Sequence, residues 1–443
     1  MSNNSIDLYI KNGFILTMNP GMEILRPGAL AIRGDSIVAV GPEKELQGME
    51  AGAGKILDVQ GGIVLPGLIN AHTHAAMTLF RGLADDLPLK TWLEEFIFPS
   101  EARYVNPDSV YWGTLLACAE MIRSGTTAFA DGYFCPDGVV KAVDLSGMRG
   151  LLCQGVVDFP APGVPDPAQN VLEAERFVEK WAGYSSSIHP GIFCHSPYVC
   201  STETIRTVKE ICGRRRVSFF MHAAETGEER SLIKYRYGKT PIHYLDNLQV
   251  LDAQTVVIHA VHVDSEEIEV LARTGTAVAH CPESNMKLAS GIAPVVEMLN
   301  KGVLVGLGTD GCASNNDLDL FKEMDTAAKL GKIRYLDPTV MDARTVLRMA
   351  TLEGARILGL EKEIGSLEVG KKADIIILDL NQPHLVPCYD PYSLLVYSAR
   401  GADVQSVMIG GRMVMENKKI LTFDLDEVMD QVRQISMEIV TKK

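Results

Sequence analysis

The chain has no excess of positive charge: 42 lysines and arginines stand against 56 aspartates and glutamates in 443 residues, a net charge of −14. A nucleic-acid backbone needs a basic face, so that partner class is argued against. No apolar run approaches the roughly 18–20 residues that cross a bilayer, so no membrane partner is expected. The stretch Met1 to Lys11 has no signal-peptide pattern. The nine cysteines are odd in number, scattered and without a Cys-x-x-Cys pair. Cys118, Cys153 and Cys194 sit inside apolar runs, where cysteine behaves as a small hydrophobe. A reduced, cytoplasmic setting is expected, not a disulfide scaffold. Short-period repeats and low-complexity segments are also missing.

What is present is organised in three parts. Residues 1–62 hold short alternating apolar segments such as Ile6-Asp7-Leu8-Tyr9-Ile10 and Ser36-Ile37-Val38-Ala39-Val40, broken by Gly, Asn, Asp and Pro. The same texture returns in 366–443, where Gly410-Gly411 between apolar runs is a hairpin signal. Neither end has enough strands to bury a face alone, so one composite sheet domain built from both termini, with a terminal helix, is expected. Between them, residues 63–365 are expected to form the catalytic unit. Eight buried strand-like runs occur at 62–69, 126–130, 150–157, 188–193, 217–221, 255–258, 276–279 and 303–307. Helical stretches follow, including 108–123, 171–181, 202–211, 265–273 and 317–330, with Asp108 and Ser265 as N-caps and Gly125, Gly213 and Gly275 after helix ends. Eight β-then-α units predict a parallel (β/α)8 barrel with external helices, with a doubly wound open sheet as the alternative.

The polar residues that break this pattern sit at the ends of the runs, where a parallel barrel assembles its active site. The first run leads to His72 and His74, which a strand aims to one side. The fourth ends at His195, the fifth at His222 with Glu225, the sixth at His259, the seventh at His280, and the eighth at Thr309-Asp310. One such histidine is more often a strand cap than a ligand. Six successive placements are another matter, because polar groups beside a core are costly unless paired or ligated. Imidazoles plus one carboxylate suit a catalytic zinc or ferrous ion, which lowers the pKa of its water to about 7. Glu225 could then move a proton onto a substrate, and Asp310 could accept one from the attacking water. Two decoys are set aside. Gly306-Leu307-Gly308-Thr309-Asp310-Gly311 spells G-x-G-x-x-G but closes the last strand and contains an acid. His222-Ala223-Ala224-Glu225 differs by one residue from the H-x-E of cytidine-type deaminases, and Cys281-Pro282 lacks their second cysteine.

These residues carry a resemblance. Pro66-Gly67-Leu68-Ile69-Asn70-Ala71-His72-Thr73-His74, the His222/Glu225 segment, His259, Gly308-Thr309-Asp310-Gly311 and the tail Gly365 to Asp374 resemble the amidohydrolase superfamily. Arg81 to Leu89, Phe98-Pro99-Ser100-Glu101, His195-Ser196-Pro197 and His280 to Gly291 are similar to its 5-methylthioadenosine/S-adenosylhomocysteine deaminases. The resemblance implies a barrel with a two-ended β-sandwich and a homo-oligomer (dimer or tetramer). It implies one divalent metal per subunit, Zn2+ or Fe2+, held by His72, His74, His222 and Asp310. The substrate implied is a small-molecule adenine nucleoside, deaminated at C6. Glu225 would protonate the ring nitrogen, His259 would polarise the attacking hydroxide, and Asp310 would shuttle its proton. Glu101 and His195 would contact the sugar, with Glu225 and Asp310 also touching substrate. One departure stands out: the loop from Asp158 to Asn170 has no arginine where some relatives use one. Rival readings are guanine or pterin deamination, triazine dechlorination, or a non-catalytic assembly protein that should have lost its ligands.

Overall fold

Pro66-Gly67 divides what the sequence presents as one apolar run, 62–69, into two strands of different sheets. In the computed structural model, which describes residues 6–441, Ile63–Pro66 pairs parallel with Ile6–Leu16 and antiparallel with Ile375–Leu378. The next strand, β1 (Leu68–Thr73), opens the barrel. The first five residues of the N-terminal stretch lie outside the described residues. Gly67 is required by close approach, since a Cβ there would stand 2.1 Å from the Thr127 hydroxyl oxygen.

Eight parallel strands form the barrel. After β1 come β2 (Thr126–Tyr133), β3 (Arg149–Val156), β4 (Ile188–Cys194), β5 (Phe219–Ala223), β6 (Thr255–His259), β7 (Ala277–His280) and β8 (Val305–Leu307), each paired with the next. The doubly wound alternative is thereby set aside. The seam between β8 and β1 is closed by side chains as well as backbone. Asn70 donates to the Thr309 hydroxyl at 2.8 Å and accepts from the Thr309 N–H at 3.1 Å, while the Asp310 N–H reaches the His72 carbonyl at 3.0 Å. The interior is filled by small and branched residues such as Ile69, Ala128, Leu151, Phe220 and Ile258.

The terminal sheet has nine strands, five from the N-terminal region and four from the C-terminal region. Its inner residues, among them Ile10, Leu30, Val64, Ile375 and Met408, form one core. Gly410 and Gly411, both at positive φ, turn Val404–Ile409 into Arg412–Glu416. A buried bidentate pair ties this sheet to the barrel: Arg149 on β3 holds the Asp374 carboxylate at 2.6 and 3.1 Å. The C-terminal helix Leu425–Thr441 packs instead on the barrel's outer helices, Val428 meeting Leu115 and Ala142.

Three helix-boundary readings shift. Asn106, not Asp108, caps Pro107–Arg123, because its amide oxygen accepts from the N–H groups of Asp108 and Ser109. Asp264, not Ser265, caps Ser265–Thr274, in a box with Glu267. Gly213 lies inside Thr202–Arg215, and Arg216 at φ +58° ends that helix.

Candidate metal centre and active site

The C-terminal strand ends converge as the parallel topology requires. β1 delivers His72 and the following His74, β5 delivers His222, and the residue three beyond β8 is Asp310. One ligand atom from each of these four buried side chains lies within 4.8 Å of the others. His72 Nε2 and His74 Nε2 stand 3.4 and 3.3 Å from Asp310 Oδ1, and His222 Nε2 stands 3.3 Å from His72 Nε2.

The protonation pattern fits a cation. The Nδ1–H of His74 donates to the Gly132 carbonyl at 2.6 Å, which orients the ring so that Nε2 faces the cluster. Burial holds His72 down at about 4 and His222 well below its usual value, so both imidazoles are neutral near pH 7. Burial would raise Asp310, but the His72 contact and the surrounding imidazoles hold it well below the usual carboxylate range. Three imidazoles and one carboxylate, buried and converging on one point, are a donor set that suits a divalent ion.

The supporting shell is specific. Asp310 Oδ2 accepts from the hydroxyls of Ser284 and Ser314 at 2.7 and 2.8 Å, leaving Oδ1 for the cluster. Asp131 Oδ1 accepts from the Ala75 N–H at 2.6 Å and the Thr73 hydroxyl at 3.0 Å, pinning the turn after His74. Ala224, His259, Ala260 and Asp310 all adopt positive φ, at +56°, +72°, +46° and +61°. Such conformations are costly for residues other than glycine and cluster where side chains must be aimed.

Beside the cluster stands Glu225, its carboxyl raised by burial and 3.8 Å from His259 Nε2. The Nδ1–H of His259 donates to Asn285 Oδ1 at 2.9 Å, which turns its Nε2 toward the site. Behind Glu225, the buried Glu229 accepts from the backbone N–H groups of Ala224 and Glu225 at 2.9 and 2.8 Å. Burial raises Glu229 to about 8.

Of the eight site residues read from the sequence, seven (His74, Glu101, His195, His222, Glu225, His259 and Asp310) line one cavity, and His72 belongs to the cluster at that cavity. Glu101 is raised to about 7 by burial and accepts from the Tyr133 hydroxyl at 2.8 Å. Burial lowers His195 to about 3; its ring lies 5.0 Å from that of His222. His280, another strand-end histidine, is not among the lining residues. The glycines of 306–311 serve close packing rather than a phosphate: a Cβ on Gly308 would lie 2.9 Å from the His72 nitrogen, and one on Gly311 2.8 Å from Met77 Sδ. Ser284, Ser314, Asp131, Asn285 and Glu229 carried no individual sequence signal. Asn285 stood inside a motif, and Glu229 stood where Thr226-x-x-Glu229 suggests a capping box that its side chain does not complete.

An eight-stranded parallel barrel with a three-histidine, one-aspartate cluster at its C-terminal mouth defines a metal-dependent hydrolase type of site. The amidohydrolase family model matches residues 63–414, and the chain belongs to that family. It is 50% identical over 99% of its length to the whole of a 5-methylthioadenosine/S-adenosylhomocysteine deaminase of Syntrophobacter fumaroxidans. It is 44% identical over 98% of its length to a 5'-deoxyadenosine deaminase of Methanosarcina barkeri, covering 99% of that protein. Among solved structures, a zinc-bound adenosine deaminase from Xanthomonas campestris superposes with a TM-score of 0.96 at 35% identity, over 99% of this chain and 100% of that one.

Proposed function

We propose that the protein hydrolytically deaminates 5'-substituted adenosines, converting 5'-methylthioadenosine to 5'-methylthioinosine and S-adenosylhomocysteine to S-inosylhomocysteine with release of ammonia. The observation that carries this reading is the His72/His74/His222/Asp310 cluster opening onto a cavity with Glu225 at its edge. The names of the relatives supply the nucleoside, and the zinc of the Xanthomonas structure supports Zn2+ over Fe2+ as the ion.

When bound, the ion supplies Lewis acidity that brings the pKa of water to about 7. The residues then divide the proton work. Asp310 takes one proton from the attacking water, and His259, through the Nε2 that faces the site, orients that water toward C6. Glu225, whose carboxyl is pushed upward by its burial, gives a proton to N1 as the C6–N1 double bond becomes single. Asp310 passes its proton to the exocyclic amine, the C6–N bond breaks, and ammonia leaves. The hydroxyl proton left on C6 returns to Glu225 as the carbonyl forms. Glu101 accepts from the ribose hydroxyls and His195 contacts a sugar oxygen, so that the purine is held edge-on to the cluster.

Glu225→Gln is expected to retain metal by elemental analysis while turnover falls by about 10²–10⁴-fold. His72→Ala is expected to lose the metal. A Glu225→Gln enzyme with near-native rate, or a His72→Ala enzyme replete with metal, would refute these roles.

A further inference from the structure

The cavity changes character from one side to the other. Its inner end carries the imidazoles, Glu225 and Asp310. Its outer wall is built by Leu89, Trp92, Leu93, Ile97 and Phe98, on a helical segment that includes a π-helical turn over Trp92–Ile97. Phe98 and Glu101 are three residues apart on the helix Phe98–Tyr104 and share a face. The Phe98 ring lies 5.4 Å from Phe159 and 6.4 Å from His195. The Tyr133 ring is 6.2 Å from His74 and its hydroxyl bonds Glu101, so Glu101 stands about one aromatic ring beyond the metal cluster. A nucleoside with C6 at the cluster and its ribose at Glu101 has its sugar beside this apolar shelf, since Phe98 shares the helix face of Glu101 and its ring lies 6.4 Å from that of His195.

No lysine or arginine is among the lining residues; the charged groups there are carboxylates. Two cations near the rim are engaged elsewhere. Lys287 bonds Asp85 at 2.6 Å and also Asn316, and Arg236 donates to the Tyr198 carbonyl at 3.2 Å. The loop after β3 offers Phe159 to the shelf, while its Asp158 carboxylate accepts from the Ser201 N–H and the Thr204 hydroxyl.

Resting on the adenosine deaminase reading above, we propose that this shelf selects adenosines with a short, uncharged, apolar 5' group, such as 5'-methylthioadenosine and 5'-deoxyadenosine, over S-adenosylhomocysteine. A methyl or methylthio group gains apolar burial against Trp92, Leu93 and Phe98. The homocysteine chain brings an ammonium and a carboxylate to the same wall, and its carboxylate loses water without gaining a cation.

The test compares kcat/KM on zinc-loaded enzyme for four substrates: 5'-methylthioadenosine, 5'-deoxyadenosine, S-adenosylhomocysteine and 5'-butylthioadenosine. The last matches the homocysteine chain in length without its charges. The butylthio and methylthio compounds are expected to exceed S-adenosylhomocysteine by at least about tenfold. Leu93→Arg is expected to narrow that ratio several-fold by offering the carboxylate a partner. Equilibrium binding of the two products, 5'-methylthioinosine and S-inosylhomocysteine, is expected to follow the same order. Equal or better turnover of S-adenosylhomocysteine than of the butylthio compound overturns the shelf proposal alone. Absence of turnover with all four overturns the deaminase reading and the shelf proposal with it.

Discussion

Glu101 offers a pH signature that separates sugar recognition from the chemical step. To accept two ribose hydroxyls its carboxyl must be ionised, yet burial raises it from 4.5 to about 7, only partly offset by the Tyr133 hydroxyl. The ionised fraction of the free enzyme is then about nine-tenths at pH 8 and one-tenth at pH 6. Because kcat/KM reports the free enzyme, it should fall about tenfold between these values for 5'-methylthioadenosine. The 2',3'-dideoxy analogue has no hydroxyl for Glu101 and should lack this limb. Glu101→Gln should be flat in the same window, near the acid-side level of the native enzyme. Stability provides an independent arm. A carboxyl raised on folding keeps its proton in the native state while the unfolded chain loses it, so stability declines from about pH 4.5 to about pH 7 and stays lower above. At about 1.4 kcal/mol per tenfold change in proton affinity, the cost is about 3 kcal/mol. Glu101→Gln, measured at pH 8 by urea unfolding, should recover a sizeable part of it. A native profile that is flat from pH 6 to 8, or a Glu101→Gln enzyme that keeps the limb, would refute the assignment.

Three further outcomes follow from the geometry. Removing the metal with a chelator should abolish activity and lower the melting temperature, and re-addition should restore both, since a ligand of the native state stabilises by mass action; an unchanged Tm would count against the cluster as a metal site. Glu229→Gln exchanges one of two backbone acceptors for a donor behind Glu225, so kcat should drop about tenfold or more with KM and metal content held, and a shift in KM alone would contradict a positioning role. Asp374→Ala strands the Arg149 guanidinium in a buried site and should cost about 3–5 kcal/mol by denaturant unfolding, with activity per folded molecule retained; a loss under about 1 kcal/mol would show the pair to be dispensable.

The barrel was legible because eight apolar runs recur with helical stretches between them, and six of those runs also end in a polar residue of metal-ligand or acid/base type. His72/His74, His195, His222, His259 and Asp310 could be placed at one mouth from that regularity alone. The division at Pro66-Gly67 was not legible, because the apolar run continues across it. Which sheet each half joins depends on Ile375–Leu378 and Thr126–Tyr133, far away in sequence. Residues that hold others in place were similarly silent. Ser284 and Asn285 stand within the His280 to Gly291 motif with no role of their own, and Ser314 outside any motif, until the fold brings them to Asp310 and His259. Glu229 is the sharper lesson: its local pattern pointed to the Thr226 backbone, and tertiary packing sent it to Ala224 and Glu225 instead.

The strand Ile63–Pro66 sits between one of the first strands made and one of the last. Its pairing with Ile6–Leu16 can form early in synthesis, but its other edge stays open until Ile375–Leu378 has left the ribosome. For that interval the nascent chain carries an unpaired apolar strand edge, the kind of surface that recruits chaperones or a neighbouring chain. Truncated translation products ending before Ile375 would keep that edge open permanently. The two-ended sheet thus acts as a completion check, in which the last part of the chain closes what the first part began.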